Sequence, residues 1–186
     1  MTSPASSDTV LALDEQAITQ AVERMGRGIL QANSSALGEL VIAGIPTRGV
    51  ELSSRIAAWI QNETGQQIEL GVVDVSMHRD DLATRPELRP IQTTHLPLDL
   101  DGRPVVLVDD VLFTGRSCRA AMETLLSYGR PRRIQLAVLV DRGHRELPIQ
   151  PDFVGEHVDT EYEEKIRVRF ENLDGVPDSV RVVKAS

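Results

Sequence analysis

The chain has 186 residues and a formal net charge of −8, with 20 Lys and Arg against 28 Asp and Glu. One domain with a sizeable core is the default at this length, and the acidic balance excludes sequence-independent binding of nucleic acid or membrane by the whole surface, though not a local basic patch. A single cysteine, Cys118, excludes an internal disulfide framework and a cysteine-based zinc site, and no apolar run is long enough to span a membrane.

Residues 1–12 read as a flexible tail, and their first ten positions, MTSPASSDTV, lack the basic-plus-apolar pattern of a secretory signal. A soluble cytoplasmic protein is expected, with residues 13–186 as its single domain. Ile18, Val22, Met25 and Ile29 form one apolar helical stripe, entered through Asp14 as N-cap and Glu15 in the first turn, and ended by Asn33-Ser34-Ser35. Arg24 and Arg27 lie off that stripe and face solvent or a partner. Glu39 to Ile45 reads as a short buried strand, with Leu40, Val41, Ile42 and Ala43 as its apolar run, and it ends in Gly44-Ile45-Pro46-Thr47-Arg48-Gly49. A second helix then carries Leu52, Ile56, Trp59 and Ile60 and stops near Gly65. Two glycines, the Thr47 hydroxyl and Arg48 beside a helix N-terminus suit an anion, although strand–glycine–helix turns occur in any α/β protein.

Ile68 to Val75 is a third strand. His78-Arg79-Asp80-Asp81 opens a stretch with no apolar period until about Leu96, marked as loop by Thr84, Arg85, Pro86, Arg89 and Pro90. A loop of this length in a compact domain is functional or disordered. The expectation is a lid that keeps water from a reactive centre, with Arg79 as its leading cation and Arg85 and Arg89 behind it.

The segment Val105 to Cys118, VVLVDDVLFTGRSC, organises the rest. An apolar strand reaches two adjacent carboxylates, Asp109 and Asp110, then Val111-Leu112-Phe113, then Thr114-Gly115-Arg116-Ser117 at the start of a helix. Ligands of open α/β sheets bind outside the carboxyl ends of the strands, where the two aspartates belong. The loop after them offers free backbone N–H groups, two hydroxyls and a helix N-terminus, which suit a phosphate. Gly115 lets the backbone close around the anion. A ribose 5-phosphate satisfies both ends: the phosphate in the loop, the sugar hydroxyls on the carboxylates. Neither Gly-x-x-x-x-Gly-Lys-Ser/Thr nor Gly-x-Gly-x-x-Gly is present. Cys118, in the first turn of the helix, is expected to be packed rather than nucleophilic.

On that helix Ala121, Leu125 and Leu126 are expected to face inward, with Gly129 as its cap and Pro131 beyond. Ile134 to Val140 is another apolar strand, so residues 105–140 read as a parallel βαβ unit, and the alternation of elements predicts a doubly wound sheet. Asp141 to Pro148 leaves the carboxyl end of that strand toward the same pocket, and the segment to Thr160 reads as irregular. Lys165 to Phe170 alternates as a half-exposed strand does, with Val180 to Val183 as its partner. His78, His95, His144 and His157 are too scattered for a transition-metal site; a divalent ion would arrive with a diphosphate, as Mg²⁺ does.

The segment around Asp109 resembles the phosphoribosyl-pyrophosphate motif of type I phosphoribosyltransferases. From Val106 through Ile149, with VLVDDVLFTGR and then GRPRRIQLAVLVDRGHRELPI, it is similar to the PyrR family, uracil phosphoribosyltransferases that also regulate pyrimidine operons by binding messenger RNA. LDEQAI (Leu13 to Ile18), GIPTRG (Gly44 to Gly49) and HRDDL (His78 to Leu82) match as well.

The resemblance implies an α/β fold of the type I phosphoribosyltransferase kind: a central, mostly parallel sheet flanked by helices, with a small hood drawn in part from residues 141–186. The implied reaction joins uracil to the ribose of phosphoribosyl pyrophosphate (PRPP), giving UMP and diphosphate. Asp109, Asp110, Arg48 and Arg79 are the implied catalytic residues. PRPP and nucleotide would bind through Thr47, Arg48, Gly49, Asp109, Asp110, Val111, Leu112, Phe113, Thr114, Gly115, Arg116 and Ser117. Mg²⁺ would come with the diphosphate, near Asp109 and Asp110, with no direct protein site. Val138, Asp141 and Arg142 are the implied base contacts, and Arg24, Arg27, Arg142 and Arg145 the implied contacts to leader mRNA. A homodimer or larger assembly is implied, and no membrane partner. The RNA surface departs from the family pattern: Glu23 lies among the arginines, Gly155-Glu156-His157 stands where Gly-Lys-Asn is frequent, and Ala32 where a basic residue is frequent. Three alternatives stay open: an enzyme whose RNA surface has decayed, a UMP-sensing RNA regulator with little turnover, and a purine-base transferase.

Overall fold

The computed structural model describes residues 9–75 and 93–184. In chain order the elements are β1 (Thr9–Leu13), α1 (Glu15–Asn33), a 3-10 segment (Ser34–Glu39), β2 (Val41–Gly44), α2 (Arg48–Thr64), β3 (Glu69–Val72), β4 (Pro104–Leu112), α3 (Arg116–Ser127), β5 (Arg133–Asp141), β6 (Phe153–His157), β7 (Lys165–Arg169), α4 (Glu171–Asp174) and β8 (Ser179–Val183).

The apolar runs become a five-stranded sheet, ordered β3-β2-β4-β5-β6, in which every pair is parallel. Such strands are covered on both faces, and the alternation of side chains shows how. Ile42, Val106, Val108, Ala137 and Leu139 pack with the apolar stripes of α1 and α2. Val41, Ala43, Val105, Leu107, Leu136 and Val138 pack on the other face with Ala120, Ala121 and Leu125 of α3. Each large side chain fully buried here contributes roughly 1.5–3 kcal/mol of apolar transfer energy. Strand direction and layer order then fix the functional edge. From β2 the chain goes to β3 on one side, then crosses back to β4 on the other. The crevice between the carboxyl ends of β2 and β4 is therefore the switch point of the sheet, the place where open α/β sheets bind ligands.

A second sheet, ordered β1-β8-β7 and antiparallel, forms the hood, and its Val168 and Val180 join the core on the α1/α2 face together with Phe170. Strand β7 and its partner β8 match the alternating tail. Several expectations are corrected. Thr9–Leu13 pairs with β8 instead of belonging to a tail. Phe153–His157, read as irregular, is the fifth parallel strand. Leu126 is 55% exposed, because the buried stripe of α3 runs through Cys118, Ala121 and Leu125. The C-cap of α3 is Tyr128, in right-handed helical conformation, and not Gly129. The aspartates do not end their strand: β4 continues through Asp109 and Asp110 to Leu112.

Candidate active site

Strand β4 delivers its two carboxylates differently. Asp109 is 8% exposed and its Oδ1 accepts the Asp110 backbone N–H at 2.9 Å. Asp110 is half-buried, and burial raises its carboxyl above the ordinary range, against the pull of the Asp109 hydrogen bond and the Arg48 charge. Arg48 starts α2, the helix that follows the neighbouring strand β2. Its closeness rests on glycine: a Cβ on Gly49 would stand 2.5 Å from the Val108 carbonyl oxygen, so only glycine lets the first turn of α2 press on β4. The Ile45 N–H donates to the same carbonyl at 2.8 Å, and the Pro46–Thr47 peptide is cis.

The helix N-termini at this edge are uncapped by side chains. In α1, remote from the crevice, the Asp14 carboxylate accepts the Ala17 N–H at 2.9 Å, as expected of an N-cap. Neither α2, with Thr47 before it, nor α3, with Gly115, has a side-chain cap. In α3 the first N–H, that of Arg116, reaches the Thr114 hydroxyl at 3.4 Å; a helix N-terminus without a side-chain cap suits an anion. Gly115 takes a left-handed φ of 91°, which turns the chain from Thr114 directly into α3.

The loop between β4 and α3 is strapped by the segment after β5. The Thr114 carbonyl accepts the N–H groups of Glu146 (3.0 Å) and Leu147 (3.2 Å), and the Phe113 carbonyl accepts from Arg145 (3.0 Å). Arg116 directs its Nε to Glu146 at 2.7 Å, and Glu146 also accepts the Tyr162 hydroxyl at 2.8 Å. The loop residues Val111, Phe113, Thr114 and Ser117 are partly exposed, whereas Leu112 is buried. Sequence reading missed Glu146 and Tyr162, since nothing local marks a carboxylate that acts 30 residues from its partner.

The other candidates separate. Val138, an expected base contact, is fully buried between β4 and β6, with its side chain in the core. Asp141 ends β5, and its carboxylate accepts from Arg145 (2.6 Å) and the Gly143 N–H (3.0 Å). Burial alone would raise its pKa, but these bonds and the Arg145 charge hold it below the usual carboxylate range. Arg142 is 6% exposed: its guanidinium lies 4.1 Å from the centre of the Phe113 ring and donates to Thr160 and to the carbonyls of Glu161 and Tyr162. Arg142 and Arg145, two of the four expected RNA contacts, thus direct their guanidiniums to partners within the chain. Arg24, on α1, donates to the Gly155 carbonyl at 2.5 Å and pairs with Glu156 at 3.4 Å; Arg27 is exposed one turn on. Arg79, Arg85 and Arg89 lie outside the described residues. Cys118 is 1% exposed, and burial raises its thiol pKa far out of nucleophilic range.

Comparison with known proteins agrees with this geometry. The phosphoribosyl transferase domain family matches residues 10–165. The chain is 48% identical over 177 residues, 95% of each chain, to the bifunctional protein PyrR of Chloroflexus aurantiacus. It is 49% identical over 159 residues to that of Thermus aquaticus (84% of this chain, 86% of the relative), and 49% over 172 residues to that of Leifsonia xyli subsp. xyli (90% and 93%). Among solved structures, the hypoxanthine phosphoribosyltransferase of Trypanosoma cruzi superposes with a TM-score of 0.73 at 13% identity over 96% of each chain, a likeness of fold. A phosphoribosyltransferase sheet with its switch point intact, in a chain nearly half identical to PyrR proteins over almost its full length, belongs to the phosphoribosyl transferase domain family and, within it, to the PyrR family.

Proposed function

We propose that the protein transfers the phosphoribosyl group of PRPP to uracil, giving UMP and diphosphate, and that it regulates pyrimidine operons by binding leader mRNA. The observation that carries the enzymatic reading is the crevice between β2 and β4: a carboxylate pair on one strand, an arginine on the next element, and two uncapped helix N-termini. Uncapped N–H groups of α3 and the Thr114 and Ser117 hydroxyls hold the 5-phosphate. Asp109 and Asp110 accept the ribose hydroxyls. Thr47, Arg48 and Gly49 receive the diphosphate, with Arg79 as the proposed lid cation. The bond from the sugar C1 to the diphosphate oxygen breaks with its electron pair leaving on diphosphate, a C1–N bond to uracil forms, and the uracil N–H proton is released. Positive charge develops on the sugar and negative charge on the leaving group, so fixed charges and positioning carry the catalysis.

Asp109 and Asp110 are hard oxygen donors of the kind Mg²⁺ takes. Among the described residues no group of three or more His, Cys, Asp or Glu is placed to hold an ion unaided. The donor set fits an ion that arrives on its substrate, and Mg²⁺ so bound neutralises diphosphate charge. The base site is proposed beside Phe113, Asp141 and Tyr162. The working form is proposed as a homodimer or larger, in the cytoplasm; no described helix is long and apolar enough to cross a membrane.

A second reading, an enzyme with a weakened RNA surface, is favoured by the pairing of Arg24 with Glu156. RNA affinity follows uncompensated positive charge, and here an acid cancels one of the two arginines that remain on α1. Glu156→Lys is expected to raise affinity for pyrimidine-leader RNA several-fold at low salt; an unchanged affinity removes this reading.

The test of the main proposal is UMP formation from uracil and PRPP with Mg²⁺, with hypoxanthine and guanine in parallel. Turnover with uracil alone is expected. Turnover with a purine would make the protein a purine-base transferase, and no turnover with any base would leave a nucleotide-sensing regulator.

A further inference from the structure

Arg48 is held by a residue no motif marks. Its Nη2 donates to Asp174 Oδ1 at 2.6 Å, from α2 across to the hood. Asp174 is no loose partner. Its Oδ2 accepts the Phe170 N–H at 2.9 Å, and its own N–H and that of Gly175 close the single turn of α4 onto Phe170 and Glu171. That turn is fastened to α2 at two further points: Asn172 donates to Glu51 at 3.0 Å, and Arg55 pairs with Asp178 while lying 4.5 Å from the centre of the Phe170 ring. The carboxylate that meets Arg48 is thus fixed in position and orientation before any ligand binds. Beside that contact, Arg48 Nε is buried and has no partner among the described residues. One nitrogen of the guanidinium is anchored, and another keeps a donor that the described residues do not satisfy.

The side chains of this pair remain 32% and 22% exposed, and pairs of that kind add little to stability. A geometric role accounts for it better, since an arginine side chain has much rotamer freedom to lose when it meets an anion. Resting on the assignment of Arg48 to the diphosphate, we propose that Asp174 is a positioning residue, which holds the Arg48 guanidinium pre-oriented over the crevice for PRPP and diphosphate. A hood element thereby helps to set the affinity of the leaving-group site.

The test is a double-mutant cycle read by binding of inorganic diphosphate with Mg²⁺, with UMP binding and Tm measured beside it. Asp174→Ala is expected to weaken diphosphate about 5- to 20-fold and leave UMP affinity within about twofold, an intermediate preorganisation effect. Asp174→Asn keeps an acceptor for the Phe170 N–H and so preserves the α4 turn; it is expected to lose diphosphate affinity like the alanine variant, and Asp174→Glu to recover part of it. In an Arg48→Ala background, Asp174→Ala should have no further effect. Unchanged diphosphate affinity in Asp174→Asn, or the same loss with Arg48 already removed, overturns the proposal. If Arg48→Ala itself leaves diphosphate affinity intact, the diphosphate assignment falls instead, and the positioning role with it.

Discussion

Asp110 shows what a functional residue costs the fold. A carboxylate near the end of a buried strand loses hydration, and its pKa rises for that reason, with the Asp109 hydrogen bond, the Arg48 charge and backbone hydrogen bonds at Asp110 and Val111 pulling it back. Asp110→Asn keeps the shape and removes the desolvated charge. Its Tm is expected to equal or exceed that of the wild type, while turnover falls by roughly 10²-fold or more if the carboxylate orients the sugar as proposed. Normal turnover with a normal Tm would place the ribose elsewhere. Arginines teach the opposite lesson. Sequence identifies them but not the direction they take: the family resemblance implies Arg142 and Arg145 as RNA contacts, yet each finds carbonyls and a ring or a carboxylate behind the loop that follows β4. Their partners, at Phe113, Thr160 and Glu161, are set by tertiary contact and leave no local sign.

At the scale of elements, the strand–loop–helix units were legible because their chemistry is local. An apolar run, a glycine and a helical stripe follow one another closely in both β2–α2 and β4–α3, so the two strand–loop–helix turns can be placed from the sequence. The missed strands fail for identifiable reasons. In β6, Gly155 interrupts the apolar run because a Cβ there would stand 2.6 Å from the Leu139 carbonyl. In β1, Val10 and Leu11 are both exposed, so the short segment carries no alternation to read. The same close approach governs α2. Gly49→Ala would drive a methyl group into the Val108 carbonyl oxygen, 2.5 Å away and part of the sheet backbone, which has little room to give. Overpacking of this kind costs about 1–3 kcal/mol, or roughly 2–12 °C in Tm for a chain of this size. Activity should fall further than stability, because the displaced turn carries Arg48. A Tm drop without loss of kcat/KM for PRPP would separate the turn from the reaction.

Across the whole molecule, hood and sheet are joined by charge as well as by apolar packing. Phe170, Val168 and Val180 reach into the α1/α2 core, and beside them Arg55 of α2 pairs with Asp178 just before β8. Burial alone would raise the Asp178 pKa, but the hydrogen bonds from Arg55 and the Glu171 N–H, with the Arg55 charge, hold it below the ordinary value. A depressed carboxylate pKa stabilises the folded state fully above the unfolded value, near pH 4, and the contribution is lost as pH falls through the lower folded value. Asp178→Asn removes that linkage while keeping the shape. At pH 7 it is expected to cost about 1–3 kcal/mol, since Arg55 keeps its 2.8 Å bond to Glu51 but loses its buried partner. Urea unfolding of both proteins from pH 7 to pH 3 should show the gap narrowing only below about pH 4. A gap constant to pH 3 would mean that Asp178 is not the group that ties the hood to acid stability. Because the hood also fixes Asp174 against Arg48, the same acid range should loosen diphosphate before it unfolds the sheet.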